Sequence, residues 1–312
     1  MIRHDSATSH LVLEDLGSEY VVFWDLIRPG PSSALSALPS IAGQMSWFGD
    51  LGQAVGRFFA LLHSPGTVEA VRRSKATGDA AAVLEHSITR DVVRRHAVDG
   101  IPKLLTENGG ASEAEADSLY RRVLDDFTRD SLGPIETCFS LGDSHPGCLL
   151  ISPGHVQDGT VRPAVIDWEF ATITGRGPNG DMAQLLSYYH LFLLSNSPEG
   201  NEYRVVREFV SRLCRAYAQQ SSVSFGEAVP GPDDPRWGLF RSALVLHGRE
   251  MVNQAVEWKL GDGTPTRDLV RAGLWYLERA GDSVADVLEG QNLALLKDEN
   301  GGVMLSLFNL SL

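Results

Sequence analysis

Two aspartates near the middle of the chain have surroundings that suit acid–base or metal chemistry. Asp143 lies in the turn-rich run Gly142-Asp143-Ser144-His145-Pro146-Gly147, just ahead of the apolar run Cys148-Leu149-Leu150-Ile151. Asp167 closes a second apolar run, Ala164-Val165-Ile166, and leads into Trp168-Glu169. A polar, Gly-containing stretch separates the runs, so they read as the two strands of a β-hairpin. Such a hairpin brings Asp143 and Asp167 to a common end. Phosphoryl transfer uses a pair of this kind: one carboxylate takes the proton of an attacking hydroxyl, and another holds Mg²⁺ against the phosphates. Taken alone, Asp143 beside Gly142 reads as a turn former and Asp167 as a strand-end cap.

Helices must position this hairpin. His10 to Glu14 reads as a short strand after a polar turn, so residues 1–16 look like the end of a hairpin. After the Pro- and Ser-rich stretch Arg28 to Ser40, Leu51, Val55, Phe58, Phe59 and Leu62 recur at helical spacing. Amphipathic runs follow over Ala82 to Asp99 and Ser112 to Arg129, the second opening on the capping-box pattern Ser112-Glu113-Ala114-Glu115. Beyond Gly180, Asp181 to Ser195 is apolar enough for a buried helix. Asn201 to Gln219, Pro235 to Leu260 and Thr264 to Ala280 are amphipathic. The expected fold class is α+β, mainly α.

Composition narrows the functions. The chain has 312 residues and a formal net charge of −13, with the acidic residues scattered rather than gathered in a tail. That sign repels nucleic-acid backbones and anionic membrane surfaces and favours a basic small-molecule partner. No apolar stretch is long enough to span a bilayer, and the first ten residues lack the apolar core of a signal peptide. Cys138, Cys148 and Cys214 form no CxxC pair, which fits free thiols in a reducing compartment. A cytoplasmic location is expected.

Several segments, in order, resemble one family. Leu141-Gly142-Asp143-Ser144-His145-Pro146-Gly147-Cys148 is similar to the HGDxHPGN loop of aminoglycoside phosphotransferases and choline kinases, and Val165-Ile166-Asp167-Trp168-Glu169 to their IDWE segment. Leu11 to Leu16 resembles the interlobe hinge, Leu51 to His63 the helix that ends in Leu-His, and Gly180-Asp181-Met182-Ala183 the GDxA segment. The resemblance spans roughly His10 to Gln219. It implies the C-terminal lobe of a protein-kinase-like fold over residues 17–312, with residues 1–16 a remnant of the N-terminal lobe and hinge. It further implies ATP and Mg²⁺ as cofactors. Asp143 would be catalytic, and Asp167 the principal Mg²⁺ ligand. Glu14, Asp15 and Leu16 would offer backbone to adenine, and Asp181 would brace the catalytic loop. Cys148 and Glu169 fall at further metal positions, although a solvated carboxylate is the stronger reading of Glu169. His63 and His145 read as packing or bracing residues, and Trp168 as a core anchor. The acceptor would be a small, cationic molecule lying against His247, Glu250, Asn253, Glu257 and Trp258, with residues 247, 250, 254 and 258 sharing one helix face.

Two departures keep the activity open. Cys148 stands where the family has Asn, and a thiol is a poor Mg²⁺ ligand. The sequence also begins almost at the hinge, so the Gly-rich loop and strand lysine that grip ATP are not expected before His10. Three readings compete: a shortened form of a working small-molecule kinase, a pseudokinase that scaffolds or regulates, and a kinase lobe recruited to other chemistry with Asp143 or Asp167 as acid or base. Gly175 to Gly180 has GxGxxG spacing, but it reads as a short flexible segment without the strand–loop–helix setting of a dinucleotide site. A hydrolase triad is excluded because no GxSxG occurs.

Overall fold

Backbone proximity, rather than large side chains, sets the tightest helix contact in this protein. The computed structural model describes residues 3–5, 10–12, 20–27, 40–73, 87–152, 161, 163–221, 223–225, 231, 233–257, 264–287 and 302–309. Helices α1 (Phe23–Ile27) and α2 (Ile41–Leu62) follow the short strand β3 (Val21–Val22). The first two strands, β1 (Arg3–Asp5) and β2 (His10–Val12), form the antiparallel hairpin expected from the sequence. Ser40 caps α2, its hydroxyl accepting the Gly43 N–H at 3.2 Å. The helix therefore begins well ahead of Leu51, because Trp47 and Phe48 extend its buried face. On that face a Cβ at Gly52 would lie 2.2 Å from the carbonyl oxygen of Phe209, and one at Gly56 would lie 2.3 Å from that of Leu213. Glycine lets α2 lie against α8 (Asn201–Gln220) at backbone contact, which no side chain would permit.

Between these helices the chain builds the hairpin platform. Helix α3 (Pro65–Arg73) is followed by α4 (Ser87–Val93), which runs into a wide π-helical turn at Arg94–Val98. Next come α5 (Ile101–Leu104), a second such turn at Leu105–Gly109, and α6 (Glu113–Thr128). The predicted capping box is present: the Ser112 N–H donates to Glu115 at 2.8 Å, and the Glu115 N–H donates to the Ser112 hydroxyl at 3.3 Å. Strand β4 (Thr137–Ser140) pairs antiparallel with β7 (Thr172–Arg176). Between them, β5 (Leu149–Ile151) is the middle strand of a second sheet, flanked by β3 and by β6 (Ala164–Val165). The β5–β6 pair is the predicted hairpin, in register Leu149 opposite Val165.

The segment around Gly175–Gly180 differs from its expected form. It is the end of β7 followed by a tight π-helical turn, Gly177–Met182, leading into α7 (Ala183–Ser195). A strand, a Gly-containing turn and a helix are thus present, but Gly177, Pro178 and Asn179 are buried. They pack as core rather than opening toward a phosphate. Helix α7 is buried almost all round, as its composition predicts, against α8 and α9 (Pro235–Glu257). Helices α10 (Thr266–Arg279), α11 (Val284–Val287) and α12 (Gly302–Leu307) complete the described chain, and α10 packs along α9. Among the described residues no helix is long and apolar enough to cross a membrane.

An ionic knot holds the platform to the helices. Glu136, 2% exposed, accepts from Arg129 at 3.0 Å, from the Leu132 N–H at 2.6 Å and from the Asn179 amide at 2.6 Å. Arg176 lies 3.3 Å from the same carboxylate and 3.0 Å from Asp126. Burial alone would raise the Glu136 pKa; the bonds from Arg129, Leu132 and Asn179 and the charge of Arg176 reverse that and hold it at about 2. The knot joins α6, β4, β7, the π-helical turn and, through Ser242, α9.

Gly52→Ala should destabilise the fold by about 2 kcal/mol or more, because the added methyl must push α2 off a backbone carbonyl. The same change at exposed Gly66 should cost well under half of that. Chemical denaturation of the two variants, compared at constant m-value, checks the pair.

Candidate active site

The loop carrying Asp143 is set by another aspartate. Asp181, in the π-helical turn before α7, is 2% exposed. Its carboxylate accepts the Leu141 N–H at 2.7 Å and the Gly142 N–H at 2.9 Å. His63, at the end of α2, lies 3.1 Å from the same carboxylate through Nε2 and 3.0 Å from the Tyr217 hydroxyl through Nδ1. The carboxylate can only accept, so the His63 Nε2–H donates to it, and Nδ1 shares a hydrogen bond with the Tyr217 hydroxyl. Gly142 is held at φ +86°, and a Cβ there would lie 2.2 Å from the Phe170 carbonyl oxygen. That contact presses the Asp143 loop onto the segment that follows Asp167.

Asp143 is partly buried, and its Oδ1 accepts from the Gln184 amide at 2.8 Å. Burial lifts its carboxyl above the ordinary aspartate range; His145 and the Gln184 bond oppose the rise, while Glu250 and Glu169 add to it. Asp167 has left-handed backbone, φ 63° and ψ 56°, and sits between β6 and the helical turn Trp168–Phe170. The two acidic segments meet at Cys148. Its Sγ lies 3.3 Å from the Asp143 carbonyl oxygen and 3.7 Å from Asp167 Oδ2. Burial, then the charges of Asp167 and Asp143, push the Cys148 thiol up to about 12. Trp168 packs between Phe58 and Phe139 and donates its indole N–H to the Val165 carbonyl at 2.9 Å, as expected of an anchor. Glu169 is exposed.

A cleft of about 350 Å³ opens beside Asp143, between the α4 turn and α9. Its walls carry three carboxylates, Asp143, Glu250 and Glu257, against one guanidinium, Arg249. Arg249 is occupied by Glu250, its Nε donating at 2.9 Å. Asn253 and Gln254 also face the cleft, and the buried Gln254 Oε1 lacks a donor among the described residues. Glu250, Asn253 and Glu257 thus lie together along the cleft wall.

His247 is a correction. It is fully buried, with Nδ1 3.1 Å from the Ala183 carbonyl and Nε2 2.9 Å from His190 Nδ1. Helical spacing put it on the face of Glu250, but α9 is buried on most of its circumference, so spacing did not separate core from cleft. Trp258 and the hinge residues Glu14, Asp15 and Leu16 lie outside the described residues. Residues that sequence reading missed include Gln184, a lone amide in an otherwise apolar helix start, and His96 on the cleft rim.

The residues present do not make a Mg²⁺ site. Asp167 Oδ2 faces a sulfur at 3.7 Å and the imidazole Nε2 of His145 at 3.9 Å. Mg²⁺ takes six oxygens and dehydrates reluctantly. Cys148 adds a buried thiol, which is a poor ligand for a hard cation. No protein-family model matches the chain, and no curated protein matches it significantly.

Two outcomes follow from this geometry. Asp181→Ala should cost about 3 kcal/mol, because it leaves a buried N–H and His63 without an acceptor, and hydrogen exchange at Leu141 and Gly142 should speed up first. Acid should also unfold the protein in two stages. Burial lowers His247 from 6.5 to about 4, so the unfolded chain binds the proton that the folded one refuses. Stability is present above pH 6.5 and falls as the pH drops toward 4, by roughly 3 kcal/mol. Glu136 adds a further loss from 4.5 down to about 2. His190, buried against His247, is pushed down as well and adds to the upper stage; urea titrations across this range, with His190→Gln/His247→Gln flattening the upper stage, check the sign.

Proposed function

We propose that this chain is the C-terminal lobe of a kinase-like fold of the aminoglycoside phosphotransferase and choline kinase kind, acting on a hydroxyl of a small cationic molecule. The supporting observation is Asp143: a carboxylate held by Gln184 at the wall of an acidic cleft, on a loop pinned through Asp181. A raised carboxyl pKa suits a group that must receive a proton. The cleft carboxylates and the unpartnered Gln254 oxygen suit an ammonium group on the acceptor.

In the reaction so read, the acceptor's hydroxyl oxygen forms the bond to phosphorus while its proton passes to Asp143. The bond from phosphorus to the departing nucleoside diphosphate breaks on the opposite side. ATP is the donor that the resemblance implies. This chain supplies positioning: Gln184 orients the carboxylate, and Phe170 and Asp181 fix the loop. No step runs through Mg²⁺, because the donors do not fit it.

Cys148 favours a second reading. A buried thiol between the two acidic segments suits a lobe that keeps its cleft but transfers no phosphate, as a regulator or with other chemistry. Product formation from choline and aminoglycosides, with and without ATP, separates the readings. A phosphotransferase loses a hundredfold or more in kcat in Asp143→Asn, with acceptor affinity retained, and gains Mg²⁺ response in Cys148→Asn. Binding without transfer in every variant supports the regulator. An ATP-independent product lost in Asp143→Asn supports other chemistry. Full activity in Asp143→Asn overturns the site.

A further inference from the structure

The donors that rule out Mg²⁺ have a chemistry of their own. His145, Cys148 and Asp167 offer one nitrogen, one sulfur and one oxygen, all within 4.8 Å of one another. Imidazole and thiolate are the ligands of borderline d-block ions, and three protein ligands with a fourth position open is the arrangement of a catalytic rather than a structural zinc site. We propose that this cluster binds a thiophilic divalent cation of the zinc class, at the edge of the Asp143 cleft.

The distances support it. Tetrahedral zinc bond lengths place sulfur and carboxylate oxygen about 3.6 Å apart, and imidazole nitrogen and carboxylate oxygen about 3.4 Å apart. Here Cys148 Sγ is 3.7 Å and His145 Nε2 is 3.9 Å from Asp167 Oδ2. Side-chain movements of a few tenths of an ångström close both gaps, and the Cys148 sulfur and a His145 ring nitrogen lie within 4.8 Å of each other. Access is present as well, since the Asp167 side chain is 42% exposed and His145 lines the cleft.

One contact opposes the ion. His145 Nδ1 accepts the Gly147 N–H at 3.1 Å, so the neutral ring now carries its proton on Nε2. Metal capture moves that proton to Nδ1 and leaves the Gly147 N–H without its acceptor, which weakens binding. The Cys148 thiol must also give up its proton, which leaves to bulk water. Metal binding to a thiolate is coupled to this proton release, so the affinity rises with pH. An ion there would stand beside the Asp143 carbonyl, on the wall of the same cleft.

The inference does not rest on phosphoryl transfer, and its test contains neither ATP nor acceptor. The chelator-stripped chain, kept reduced with a phosphine, is titrated with Co²⁺ and followed through the thiolate-to-cobalt charge-transfer band. The expected result is saturation at one ion per chain, displacement by equimolar Zn²⁺, and no displacement by a large excess of Mg²⁺. Cys148→Ser should abolish the band, and His145→Gln and Asp167→Asn should each weaken binding at least tenfold. Cys214→Ala, a buried thiol elsewhere in the core, should leave the band intact. The absence of a cobalt band in the native chain overturns the site outright. So does a band that survives Cys148→Ser, or displacement by Mg²⁺ at matched concentration. Because the native chain alone decides the first outcome, a variant that fails to fold does not shelter the proposal.

Discussion

The Asp181 carboxylate is the constraint on which the middle of this protein depends. It takes two backbone N–H groups of the Asp143 loop and one imidazole N–H from the end of α2. A buried charge is costly unless its acceptor capacity is filled, and here it is filled by groups that cannot move away without breaking a helix end or a loop. The loop geometry is therefore tied to the contact between α2 and α8. Tyr217 extends the tie, because it stands on α8 and completes the bonding of His63.

A second buried charge, Glu136, does for the strands what Asp181 does for the loop. Its partners come from α6, from the end of β7 and from the turn before α7. Between them, the two carboxylates fix the stretch from Arg176 to Asp181, and Asp181 in turn holds the loop that carries Asp143. Rigid support of this kind is what a site needs if small displacements are to matter.

Much of this was legible in the sequence, and the failures have physical causes. The hairpin was readable because Leu149–Ile151 and Ala164–Val165 are apolar runs bounded by turn residues, and α6 because Ser112 and Glu115 can satisfy each other's backbone. Strand β7 was missed although Ile173 is buried between outward threonines; its partner β4 lies too far away in sequence for local pattern to connect them. The Glu136 knot was invisible because Arg129, Arg176 and Asp126 are scattered, and isolated charges read as solvated. Of the site, Asp143, Asp167 and Cys148 were found by their order. The role of His145 toward Asp167 was not, because only the three-dimensional turn at Pro146–Cys148 brings the ring round.

The left-handed backbone of Asp167 carries a consequence for any attempt to make this protein more robust. A non-glycine residue held at φ 63° stores strain on the order of 1 kcal/mol, which glycine would release. A search for stabilising substitutions would thus favour removing the very carboxylate that faces His145 and Cys148. At this position the side chain that meets His145 and Cys148 and the backbone that carries it pull in opposite directions on stability.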